Sequence, residues 1–106
     1  MELTIRDVSN TGGTARIQVG GELDVATSPS LREKGVELLD AGAQTIEVDL
    51  AGVTFIDSTG LGALVSLQKH CRTRGGSLVV SGCKGPVERL MALTGLDRVF
   101  VDDARR

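Results

Sequence analysis

From Gln44 to Leu67 the chain reads QTIEVDLAGVTFIDSTGLGALVSL, and the change of period inside this stretch restricts the fold more than any other feature. Ile46, Val48 and Leu50 alternate with Glu47 and Asp49, the period-two pattern of a strand with one apolar face. Gly52 interrupts that pattern, and Val53, Phe55 and Ile56 return the chain to apolar surroundings. Then Asp57-Ser58-Thr59 bring three side-chain oxygens together ahead of Gly60-Leu61-Gly62. Beyond them Leu61, Leu64, Val65, Gln68 and Cys71 fall at helical spacing. Lys69, His70, Arg72 and Arg74 crowd the last turns, where cations oppose the negative end of the helix dipole, and Gly75-Gly76 closes the helix. The stretch is therefore a strand, a polar junction and a helix.

The flanking segments fit around it. Leu3 and Ile5, then Ala15, Ile17 and Val19, alternate with polar residues across the turn residues Asn10-Thr11-Gly12-Gly13, which predicts an antiparallel hairpin. Gly20-Gly21 is expected to end its second strand and Glu22-Leu23-Asp24 to form a loop. Thr27 or Ser28 can cap a first helix with Pro29 in its first turn, Leu31, Gly35, Leu38 and Leu39 on its inner face and Gly42 at its end. Leu78-Val79-Val80 reads as a strand covered on both faces. Pro86 opens a last helix with Val87, Leu90, Met91 and Thr94 facing inward, and Val99-Phe100-Val101 is the expected final strand. A hairpin followed by alternating helices and strands predicts an α/β domain with a mixed sheet whose parallel pairs lie toward one side. At 106 residues the chain suits one such domain over residues 1–106.

Asp57-Ser58-Thr59 suits a helix cap, since each of these residues accepts bonds from the unpaired amides of a first turn. A cap needs only one of them. Gly60 and Gly62 are expected to keep the surface bare beside the hydroxyls, and a bare, amide-rich helix start suits an oxyanion such as phosphate. A hydrolase elbow is excluded because Ile56 occupies the position where Gly-x-Ser-x-Gly requires its first glycine. His70, the only histidine, lies twelve residues beyond Ser58 on the same expected helix, about 18 Å along its axis, too far to act as a base. A receiver-type aspartate at Asp57 lacks the further carboxylates that hold magnesium, because Ser9-Asn10-Thr11 follows the first strand. No lysine follows the glycines as a P-loop requires. Cys71 and Cys83 lack metal-ligand spacing and read as reduced thiols, buried or half-buried. No catalytic residue, metal or cofactor is expected.

Composition excludes two further classes. With a net charge of −2, no Trp or Tyr and only Phe55 and Phe100 as aromatics, the chain offers neither a basic footprint nor stacking platforms for nucleic acid. No apolar run approaches the roughly 20 residues of a bilayer span, and Met1-Glu2-Leu3-Thr4 lacks a signal-peptide start. A cytoplasmic protein without membrane contact is expected.

The junction resembles the signature of the STAS domain family, and within it the bacterial anti-sigma factor antagonists. Their Asp-Ser-Ser/Thr-Gly-Leu-Gly stands here as Asp57-Ser58-Thr59-Gly60-Leu61-Gly62, and their Gly-Glu-Leu-Asp stands as Gly21-Glu22-Leu23-Asp24. Gly85-Pro86-Val87 and Thr94-Gly95-Leu96 extend the likeness over nearly the whole chain. Family members often continue into a further C-terminal helix, whereas five residues, Asp102 to Arg106, follow the expected last strand here. The resemblance implies that Ser58 is phosphorylated and that Glu22, Asp24, Asp57, Ser58, Thr59, Gly60, Leu61 and Gly62 meet a partner. That partner is implied to be an anti-sigma factor serine kinase, with a serine phosphatase reversing the modification. Two other roles occur in the same family: an accessory subunit of a phospholipid-transporting ABC complex and a nucleotide-binding module.

Overall fold

The computed structural model describes residues 2–95. The expected strand at Val99–Val101 lies outside them. The hairpin pairs β1 (Leu3–Thr11) with β2 (Thr14–Leu23) in antiparallel register, from Leu3 opposite Gly21 to Thr11 opposite Thr14. Gly12 and Gly13 make the two-residue turn with φ of 63° and 84°, left-handed values at both central positions that match the twist of the strands. Helix α1 (Ser28–Asp40) then carries the chain to β3 (Thr45–Ile56), α2 (Ser58–Thr73) to β4 (Leu78–Ser81), and α3 (Pro86–Thr94) follows. The sheet order is β1-β2-β3-β4, with β2–β3 and β3–β4 parallel, so the parallel pairs do lie toward one side.

Two strands run further than the glycines suggest. β2 continues through Gly20-Gly21 to Leu23, so Glu22 and Leu23 are strand rather than loop. β3 likewise passes through Gly52 to Ile56. The reason is the ladder between them: Gly20 pairs with Gly52, Gly21 with Val53, Glu22 with Phe55 and Leu23 with Ile56 across two register shifts. Such irregularities change which residues face inward. Val53 and Ile56 are buried, while Phe55, expected among apolar neighbours, is 44% exposed.

The core forms where α1 and α2 pack against each other and against β3. Leu31, Gly35, Leu38 and Leu39 of α1 face Leu61, Leu64, Leu67 and Cys71 of α2 over Ile17, Ile46, Val48 and Leu50. Val65, placed on the apolar stripe by its spacing, is only half-buried. Gln68, also on that stripe, is buried and accepts a hydrogen bond of 2.6 Å from the Leu78 amide, tying α2 to the start of β4. Helix α3 adds Val87 and Met91, but Thr94 is exposed, and its hydroxyl donates to the Leu90 carbonyl at 2.8 Å.

Candidate functional site

The parallel pairing of β2 and β3 brings Asp24 and Ser58 to one end of the sheet. Leu23 and Ile56 are partners there, and the Asp57 amide donates to the Leu23 carbonyl at 3.3 Å. Asp57 is the N-cap of α2, extended at φ −119° and ψ −174°, and its Oδ1 accepts from the Gly60 amide at 2.9 Å. One cap suffices. Ser58 is consequently left exposed at the first position of the helix, with no hydrogen bond to its hydroxyl among the described residues. Thr59 is half-buried.

Gly60 and Gly62 have different tasks. Gly60 is buried, and a Cβ there would lie 2.5 Å from the Leu23 carbonyl oxygen and 2.9 Å from Leu23 Cγ. It therefore serves the close approach of α2 to the end of β2 rather than a bare surface. Gly62 is exposed and a Cβ there would meet nothing within 4 Å. Leu61 belongs to the core.

The loop after β2 is built by Asp24, which is only 3% exposed and is no solvated surface acid. Its Oδ1 accepts from the amides of Ala26 at 2.9 Å and Thr27 at 3.1 Å. Its Oδ2 is buried without a partner among the described residues. Thr27 occupies the N-cap position of α1, but neither it nor Ser28 caps the helix through its side chain. The Thr27 hydroxyl instead donates to the Glu22 carbonyl at 2.7 Å and accepts from the Asp24 amide at 2.9 Å, and the Ser28 hydroxyl donates to the Asp24 carbonyl. These bonds fold the loop onto its own carboxylate and turn Val25 outward, 70% exposed. Glu22 is half-buried at the end of β2.

Of the eight residues expected at the site, Ser58 and Gly62 are thus exposed, Glu22, Asp57 and Thr59 half-buried, and Asp24, Gly60 and Leu61 buried. Val25 and Phe55 add apolar surface at the same end of the sheet. Val25 carried a signal as the one large aliphatic residue in the Asp24–Thr27 loop, whereas Phe55 was hidden by the register shift. His70 is exposed near the C-terminus of α2, beside Arg32 and Glu37 of α1. Among the described residues, no group of three or more His, Cys, Asp or Glu side chains is placed to hold a metal ion, and no helix is long and apolar enough to cross a membrane.

The model of a family described as Mlab, STAS domain, matches residues 7–102. The chain belongs to the STAS domain family. An anti-sigma-B factor antagonist of Bacillus subtilis is 38% identical over 94 residues, 89% of this chain and 85% of its own length. The crystal structure of an anti-sigma factor antagonist from Mycobacterium paratuberculosis matches with a TM-score of 0.77 at 27% identity, covering 96% of this STAS chain and 86% of its own. The anti-sigma factor antagonist SpoIIAA in its unphosphorylated form shares the STAS fold at a TM-score of 0.81 and 21% identity, over 93% of this chain and 87% of its own.

Proposed function

We propose that this chain, as one STAS domain over residues 1–106, is an anti-sigma factor antagonist switched by phosphorylation of Ser58. The observation that carries the reading is the division of labour at the start of α2: Asp57 supplies the cap, so the Ser58 hydroxyl is exposed and unengaged. The relatives named as antagonists of anti-sigma factors supply the kind of partner. Unphosphorylated, the end of the sheet carrying Val25, Phe55 and Ser58 binds an anti-sigma factor that is also a serine kinase, and the sigma factor is freed. The kinase then moves the γ-phosphoryl group of ATP to Ser58. The Oγ–P bond forms as the bond to ADP breaks, and the hydroxyl proton passes to a base of the kinase. A serine phosphatase hydrolyses the ester and restores the binding form. ATP and Mg²⁺ belong to the kinase; the chain is its substrate, performs no catalytic step of its own and works in the cytoplasm.

Glu22 and Asp57 rim the docking surface, while Asp24 acts from beneath it by holding the loop that presents Val25. Thr59 is the poorer acceptor, being half-buried and stiffer at χ1. Mass spectrometry after incubation with the cognate kinase and ATP is expected to place a single phosphate on Ser58. Phosphate on Thr59 with Ser58 unmodified would contradict the assignment.

A further inference from the structure

Beyond the end of the sheet, an open groove runs along the outer face of α2. Ser58, Gly62, Val65, Ser66 and Lys69 follow one another at helical spacing on that face, and Thr94 of α3 borders it. Ser58 stands at one end and Lys69 at the other, about 16 Å farther along the axis.

Two features of this groove are not accounted for by side-chain contacts among the described residues. Gly62 sits within the helix without a left-handed φ, and a Cβ there would touch nothing, although alanine is the better helix former. Lys69 is exposed and pairs with no carboxylate among the described residues, whereas Lys34 and Arg74 do. A missing side chain beside half-buried Val65 lets another chain approach closely, and an unpaired ammonium about two turns away suits an acid on that chain. The groove is open along its length, unlike the pockets that enclose most of a small ligand's surface. It is also continuous with Ser58, where the partner is proposed to dock.

We infer that the anti-sigma factor lays a segment along this groove, with an apolar side chain over Gly62 and Val65 and a carboxylate on Lys69. The inference rests on the Ser58 switch for the identity of the partner. It makes the groove the part of the interface that selects among partners, since the Lys69 end lies beyond the reach of a phosphate on Ser58.

Titration calorimetry against the anti-sigma factor, paired with thermal melts, tests it with Gly62→Ala, Lys69→Glu and Lys69→Arg. Gly62→Ala is expected to melt at or above wild type yet bind about tenfold more weakly, a combination that a structural role for the glycine does not produce. Lys69→Glu is expected to lose about tenfold and Lys69→Arg to stay within about twofold of wild type. If both weakening variants bind like wild type while phosphate on Ser58 still releases the partner, the groove inference is overturned and the switch stands. Weakened variants together with indifference to Ser58 phosphate would leave the groove and remove the switch. Shifts of the Val65 and Ser66 amides with GTP but none with the anti-sigma factor would assign the groove to a nucleotide and overturn the inference.

Discussion

At the scale of single residues, the junction works because neighbours that look interchangeable do different things. Asp57 caps, Ser58 is presented, Gly60 permits contact and Gly62 permits approach. The cap was legible in the sequence, since Asp before a helical period has a direct reading. The separation of the two glycines was not: the reason for Gly60 is the Leu23 carbonyl, 37 residues upstream in number and adjacent only through the parallel pairing of β2 with β3. The burial of Asp24 was not legible for a related reason. A carboxylate in a Gly-rich stretch suggests solvent, but this one is covered once the amides of Ala26 and Thr27 fold over it. Gly60→Ala is expected to cost roughly 1–3 kcal/mol in chemical denaturation, because a methyl group at 2.5 Å from a backbone oxygen forces α2 away from β2. A loss below about 0.5 kcal/mol would mean that the contact relaxes freely.

At the scale of elements, the helices and the hairpin were readable from periodicity, and the ends of β2 and β3 were not. Glycines at 20, 21 and 52 look like stops to any local pattern. They are carried through because each strand supplies the other's hydrogen bonds, and the register shifts then expose Phe55 while burying Ile56. Helix α2 shows the opposite case, a stripe that is buried as spaced at Leu61, Leu64, Gln68 and Cys71, with Val65 the exception. Cys71 lies on that inner face, where burial pushes its thiol pKa up against smaller opposing effects from the Ile46 backbone and Arg74. A raised folded-state pKa for a group that is neutral when protonated adds stability below the unfolded thiol's pKa of about 8.5 and loses it as pH rises beyond that. Stability measured from pH 7 to 10 is therefore expected to fall on the alkaline side, and Cys71→Ala should flatten that limb relative to wild type. An unchanged limb in Cys71→Ala would show that other groups are responsible.

At the scale of the whole molecule, the described sheet and helices form a packed base for a small, one-sided surface. A phosphate on Ser58 arrives at a helix N-terminus, where the dipole favours negative charge, so the fold has no reason to rearrange. On the proposed reading the switch is electrostatic and steric at the surface itself: phosphate beside Asp57 would make the end of the sheet strongly anionic. One added unit charge facing a partner carboxylate at ~5 Å is repelled by about 1 kcal/mol in water-like dielectric and about 3 kcal/mol at an effective dielectric of 20. That corresponds to roughly one to two decades in affinity, part of it screened by salt. The family could be read from the motif, whereas the groove along α2 required the placement of α3 beside it. The most direct measurement is titration calorimetry of the anti-sigma factor with wild type, Ser58→Ala and Ser58→Asp at low and high salt. The account predicts that Ser58→Ala binds like wild type and resists release by ATP, while Ser58→Asp binds roughly one to two decades more weakly, with the difference shrinking at high salt. Equal affinities for the Ala and Asp variants at both salts would contradict it and leave Ser58 as an ordinary first residue of a helix.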